Sequence, residues 1–408
     1  MFLKSLFILV PCFCFATSSD VQSQIKLKQG KWNGELQLNQ QTTLPFRMEV
    51  QKVKKEYIFS IHNAEEKIVL NQPSIQADSV VLDFPNFHSA LKFKINHKSE
   101  LNGYWINYNK NNNYKIPFTA TAVSKNATSD SEATPIIQLS GKWKATFDPS
   151  TADAYMAIGI FRTNKNKIYG TFLTETGDYR FLEGTIQNQS FSLSCFDGSH
   201  AFHFTGTVEN EKINGNFYSG KHFKGEWIAE RDELFQLRNP DSLTYIVKKE
   251  PFTFKLKDVE GNDFTYPNSR FENKVTIIQI MGTWCPNCMD ETRFFQELYT
   301  KYNAKGLEII SVGYETPKEF AGQAEKIKLL RDRHQLKFTF LVGGTASKSL
   351  ASQQFSMLNE IISYPTAIIL NKRGEVVKVH TGFNGPSTGE IYTKYVEEMI
   401  ALIESLLE

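Results

Sequence analysis

The chain has 408 residues, longer than one hydrophobic core usually supports, so two or three domains are expected. Its 46 Lys and Arg nearly cancel 44 Asp and Glu, and a net charge of +2 gives no broad field to recruit nucleic acid or an anionic membrane surface. With 41% hydrophobic and 22% charged residues the composition is globular, and 32 Phe and 16 Tyr favour strands over bundled helices.

Residues 1–18 read as an export signal: Lys4, an apolar run over 5–15, then the small residues Ala16-Thr17-Ser18, with cleavage expected after Ser18. The run is too short to span a bilayer, which takes about 20 apolar residues, and no later segment reaches that length. Leu9-Val10-Pro11-Cys12 raises lipid anchoring as an alternative, although Pro11 fits poorly the small residue that should precede a lipidated Cys. A place outside the cytoplasm, in periplasm or cell envelope, is expected. Of the five Cys, Cys12 and Cys14 fall in the signal, and Cys195, Cys285 and Cys288 are too few for a multi-bridge framework.

The next part of the chain repeats itself. Gly30-Lys31-Trp32 recurs as Gly141-Lys142-Trp143, and Leu101-Asn102-Gly103-Tyr104-Trp105 as Ile213-Asn214-Gly215-Asn216-Phe217, at nearly one offset, which argues for a duplicated unit. Each copy carries short alternating strands, such as 155–161 and 167–172 around an Asn-Lys-Asn turn, and 200–206 pairing with 212–218 across Glu209-Asn210. Residues 24–122 and 137–231 are therefore expected to be two small antiparallel all-β domains, sandwich or barrel, with linkers at 123–136 and 232–247. The Gly-x-Trp starts resemble faintly the first strand of lipocalin-like barrels, but a core Trp behind a turn glycine is the simpler reading. Neither repeat holds a catalytic constellation. Cys195, between Leu193 and Phe196, reads as a buried inert thiol.

From 248 to 408 the pattern changes class, and its order β, α, β, long helical insert, β, β, α is that of an α/β thioredoxin-like domain. A buried strand is predicted at 275–281, a helix at 290–302 with Phe294, Leu298 and Tyr302 at steps of four, and another buried strand at 307–312. A long insert at 315–357 carries an amphipathic helix through Phe320, Ala324, Ile327 and Leu330. A hairpin joins 366–370 to 376–380 across Asn371-Lys372-Arg373-Gly374. The last helix opens on a capping box, Ser387 and Glu390, with an apolar face through Ile391, Val396, Met399, Ile400 and Ile403.

Cys285-Pro286-Asn287-Cys288 falls at the predicted strand-to-helix turn. A thiol there meets unpaired N–H groups and the positive end of the helix dipole, which favour thiolate, so Cys285 is the candidate nucleophile. Cys288, a turn further on, can attack a mixed disulfide and release the substrate. Three other readings weigh less. Half a zinc site finds Cys195 but no suitably spaced His pair, a static disulfide over so short a loop closes little entropy, and a peroxidatic Cys would stand in a different motif.

Gly282-Thr283-Trp284-Cys285-Pro286-Asn287-Cys288-Met289-Asp290-Glu291, followed by Ser363-Tyr364-Pro365-Thr366, resembles the TlpA/ResA-like family of extracytoplasmic thiol-disulfide reductases in its Bacteroidetes form, over residues 248–408. The resemblance implies a cis peptide at Pro365, which otherwise merely opens a strand, and a Tyr364 backbone held against the disulfide where substrate adds as a strand. It implies that Trp284 shapes the docking surface and that Glu291 carries a proton for Cys288; the rival reading makes Glu291 a first-turn acid complementing the dipole. No cofactor is implied. Implied partners are proteins bearing disulfides or thiols and a membrane-bound electron donor, with no nucleic acid. Every candidate redox residue follows Val247, so the chemistry is expected to be independent of the repeats. The runner-up is a binding protein in which the β-repeats act and the thioredoxin domain is scaffold, against which the intact Cys pair speaks.

Overall fold

The computed structural model describes residues 26–76, 78–110, 113–124, 137–248 and 251–408. The expected signal with Cys12 and Cys14, and most of the first linker, lie outside these residues.

The first β-domain is a nine-stranded antiparallel sheet in which sequential strands are neighbours, except across one edge, and Gly30–Gln37 pairs also with the last strand, Lys115–Ala122. Alternate residues point inward, as the period of a strand dictates. Trp32, Leu36, Phe59, Phe93, Trp105 and Phe118 thus meet in one core. The edge between Glu66–Val69 and Ser74–Gln76 stays unpaired, so the sheet is an open barrel.

The second has a closed barrel of eight strands, because Tyr155–Asn164 pairs with both Gly141–Phe147 and Lys167–Thr174. Trp143, Phe147, Phe172, Phe204, Phe217 and Trp227 fill its interior, which is a packed core and not a ligand chamber. The matched Gly-Lys-Trp segments occupy equivalent places. Gly30 and Gly141 have φ of 113° and 116°, and the indoles of Trp32 and Trp143 donate to the carbonyls of Lys28 and Leu139 at 3.0 and 2.9 Å. One turn is corrected: Glu209 pairs with Lys212, so the turn is Asn210-Glu211, both with positive φ as a tight hairpin of this type needs. Cys195 lies in the barrel core, where burial holds its thiol well above the ordinary range.

The third domain is a seven-stranded mixed sheet in the order Asp263–Tyr266, Phe254–Asp258, Thr339–Thr345, Leu307–Glu315, Val275–Met281, Thr366–Leu370 and Val376–Thr381. Its helices are α1 (Pro286–Tyr302), α2 (Phe320–Arg333), α3 (Lys348–Gln354) and α4 (Glu390–Leu407). Val275–Met281 is buried throughout, and its alternate side chains serve two cores. Ile277 packs with Phe294, Phe295 and Leu298 of α1 and with Met399 and Ile403 of α4. Ile278 and Ile280 pack with Phe252, Phe254 and Phe355 on the other face.

Five expectations are corrected here. Helix α1 begins at Pro286, not at residue 290. The strand after it runs on to Glu315. The presumed insert is part of the fold, since Thr339–Thr345 pairs in parallel with Leu307–Glu315 and α2 covers the sheet. The capping box is absent: α4 starts after Gly389 without a side-chain cap, and the Ser387 hydroxyl donates instead to Asp178 at 2.9 Å. Ile391 and Phe320 are exposed, so the buried stripes of α4 and α2 are narrower than predicted.

The three domains are closely joined. Phe196, from a hairpin of the second barrel, packs against Phe46, Phe84 and Trp105 of the first. The Arg180 guanidinium binds Glu66 of the first domain and Asp290 of α1. Residues 232–247 dock on the third domain: Asp241 meets His380 at 2.6 Å, and the Thr244 hydroxyl donates to the Glu360 carbonyl at 3.1 Å. No helix among the described residues is long and apolar enough to cross a membrane.

Candidate active site

The central strand ends at Met281, and Gly282-Thr283-Trp284 carry the chain to α1. Pro286 opens the helix, where its missing N–H costs nothing and its fixed φ suits the turn. Cys285 is the N-cap, and its sulfur accepts from the Cys288 backbone N–H at 3.3 Å, one of the donors a helix start leaves unpaired. On its other side the same sulfur lies 3.6 Å from the Tyr364 carbonyl, and the Tyr364–Pro365 peptide is cis. Both cysteines carry free thiols; Cys285 is 8% exposed and Cys288 fully buried. Burial, reinforced by the neighbouring Cys285 sulfur, pushes the Cys288 thiol well above its usual range.

The turn before Cys285 is pinned from the adjacent strand. The Thr283 N–H and hydroxyl donate to the Glu315 carboxylate at 2.8 and 2.7 Å, and the Trp284 indole donates to the Tyr314 carbonyl at 2.9 Å. The Trp284 ring stands edge-on to Tyr364, with centroids 5.9 Å apart. Burial pushes the Glu315 carboxyl up to about 7, against the pull of the Thr283 donors.

Glu291 is fully buried, a turn past Cys288. Because α1 starts at Pro286, Glu291 lies beyond the first turn, which contains no acid, and the dipole reading loses its basis. Gln279 donates to one carboxylate oxygen at 2.9 Å, while the other has no partner. Burial pushes this carboxyl up to about 8, with the Gln279 bond opposing. Thr292 and Ser311 hold the Gln279 amide oxygen at 3.1 and 2.6 Å, so a polar cluster sits inside the apolar core beneath the Cys pair.

The second β-domain reaches this site, which nothing in its sequence signals. The Ser199 hydroxyl donates to the Trp284 carbonyl at 2.9 Å and that of Ser363 to the Thr176 carbonyl at 3.0 Å. The Asn287 amide donates to the carbonyls of Asp178 and Phe383 at 3.2 and 3.1 Å. Between the two domains a cleft of about 660 Å³ opens, with Cys285 in its wall. The site thus unites Trp284, Cys285, Cys288, Tyr364 and Pro365, with Glu291 below them. Sequence reading did not find Glu315; a Glu ending an apolar strand was the one available signal.

Residues 248–395 match the family model described as Redoxin. The thiol-disulfide oxidoreductase ResA of Halalkalibacterium halodurans is 29% identical over 161 residues, 38% of this chain and 76% of that protein. The sporulation thiol-disulfide oxidoreductase A of Bacillus subtilis is 26% identical over 148 residues, 36% of this chain and 80% of that protein. Among solved structures, StoA of Bacillus subtilis aligns at 23% identity over 36% of this chain and 99% of that one, with a TM-score of 0.26. The C-terminal part of the chain is a Redoxin domain, homologous to the ResA and StoA thiol-disulfide oxidoreductases.

Proposed function

We propose that the protein is an extracytoplasmic thiol-disulfide oxidoreductase that reduces protein disulfides through Cys285 and Cys288. The observation that carries this reading is the placement of Cys285: its sulfur caps α1 and faces the Tyr364 carbonyl beside a buried second thiol. The Cys285 thiolate attacks one sulfur of a substrate disulfide, and the other sulfur leaves as a thiolate that takes up a proton. Cys288 then gives its proton to ionised Glu291, directly or through one water, and attacks the Cys285 sulfur. A Cys285–Cys288 bond forms, and the substrate departs having gained two electrons and two protons. A membrane-bound dithiol donor would return the pair to its reduced state. The family resemblance supports the reducing direction, and residues 1–18 support export.

Trp284, Tyr364 and Pro365 form the surface on which substrate docks, and the two β-domains, divided as 24–122 and 137–231, are copies of one unit. Equivalent Gly and Trp positions support the duplication. The test is trapping: Cys288→Ser should accumulate mixed disulfides on Cys285, and Cys285→Ser should accumulate none. Equal trapping by the two variants would contradict the assigned roles.

A further inference from the structure

Cys285 does not face open solvent; the second β-domain stands across from it. Tyr155, Tyr179 and Phe202 from that domain and Trp284 and Tyr364 from the redox domain line the cleft. We propose that this cleft is a binding site for a disulfide carried on an extended chain segment of a partner protein with an aromatic residue beside its cysteine, and that the second β-domain is the wall that selects it. The proposal rests on the redox reading above and adds its substrate class.

Size and access come first. A cysteine that is only 8% exposed cannot be reached by a disulfide lying flat on a folded surface, whereas about 660 Å³ suits a few residues of chain. The wall chemistry comes second. The hydroxyls of Tyr155 and Tyr179 bond each other at 2.6 Å, which satisfies both and leaves their rings as apolar surface, and Tyr179 stands edge-on to Phe202 at 5.2 Å. Such a wall rewards an aromatic side chain by edge-to-face contact as well as burial.

Continuity decides between a chain and a small disulfide. A second cavity of about 420 Å³ shares Tyr179, His200, Phe202 and Trp284 with the first and runs on to Lys110 and His222. A peptide can enter at one end and leave at the other; a small molecule has no use for the extension. The width is also fixed. A Cβ on Gly177, whose φ is +137°, would come within 2.4 Å of the Asn287 amide, so the barrel approaches the Cys pair as closely as backbone allows.

The test uses the full chain and two synthetic disulfide-bearing peptides that differ only in the residue before the cysteine, Phe or Ser, with dithiothreitol as reductant and its uncatalysed rate subtracted. The native chain should favour the Phe peptide by about tenfold in kcat/KM, the size of an aromatic contact with its buried area. Phe202→Ala should cut that preference to about threefold or less. Ala154→Trp, at an exposed position on the cleft rim, should do the same by narrowing the entrance without touching a core. No preference in the native chain, or a preference that both folded variants keep, would overturn the cleft assignment alone. A native chain inert towards both peptides and towards hydroxyethyl disulfide would overturn the redox reading, and the cleft with it.

Discussion

Glu291 concentrates the residue-scale chemistry, because a buried carboxyl pushed up to about 8 lies one helical turn past a buried thiol pushed higher still. Glu291→Gln keeps shape and polarity but cannot take the proton. Stopped-flow exchange across pH should show a slower resolving step with a flattened pH profile, while the first attack by Cys285 is unaltered; identical profiles would end the proton-carrier role. Stability carries a second signature. The folded-state value lies above the ordinary 4.5, so the folded protein holds the proton more tightly, and the stabilisation present below pH 4.5 is lost as pH rises to about 8. Denaturant titrations of the native chain should lose about 2–5 kcal/mol over that window. Glu291→Gln should remove most of the slope and leave the part below about 7 that belongs to Glu315. Cys285 and Cys288 could be proposed from the sequence because their spacing is local, whereas the docking role proposed for Pro365, far downstream, came only from the family resemblance. Glu315 was not, because its partner Thr283 lies on a different strand end and is joined to it only by the fold.

Among the elements, the turn from the central strand into α1 decides where the nucleophile sits. Thr283→Val removes one of the two donors that hold the Glu315 carboxylate and leaves a buried oxygen unpaired, which costs about 1–3 kcal/mol. A melting curve should fall accordingly, and alkylation of Cys285 should quicken as the turn loosens; unchanged stability would mean that the Thr283 bonds hold nothing. A nearly continuous apolar run made 275–281 readable, and helical periodicity the terminal helix. Thr339–Thr345 was missed because a seven-residue strand with two glycines follows a helix with a clear apolar stripe, and the helix set the reading of the whole stretch. The Ser387 capping box failed for a tertiary reason, since Asp178 of another domain takes the hydroxyl that would have capped α4.

At the scale of the whole molecule, one buried guanidinium links the three domains. Arg180 bonds Glu66 at 2.9 Å, contacts Asp290, and lies 3.8 Å from Asp197. Arg180→Met would leave Glu66 buried without a cation and Asp290 with Arg293 alone, a loss of about 3–5 kcal/mol, and should part the β-domains from the redox domain. Small-angle scattering should record the expansion and calorimetry the split of one transition into two; a single unshifted transition would contradict the joint. Nothing in the sequence announces this contact, because its residues are far apart and individually ordinary.

The account stands on the reversible chemistry of one cysteine pair in the intact protein. The most direct test equilibrates the full chain in dithiothreitol buffers of graded potential, blocks free thiols by alkylation, and assigns them by mass spectrometry. The account predicts one two-electron transition confined to Cys285 and Cys288, with Cys195 remaining a thiol throughout. A pair that stays reduced, or stays bridged, at every potential would contradict it.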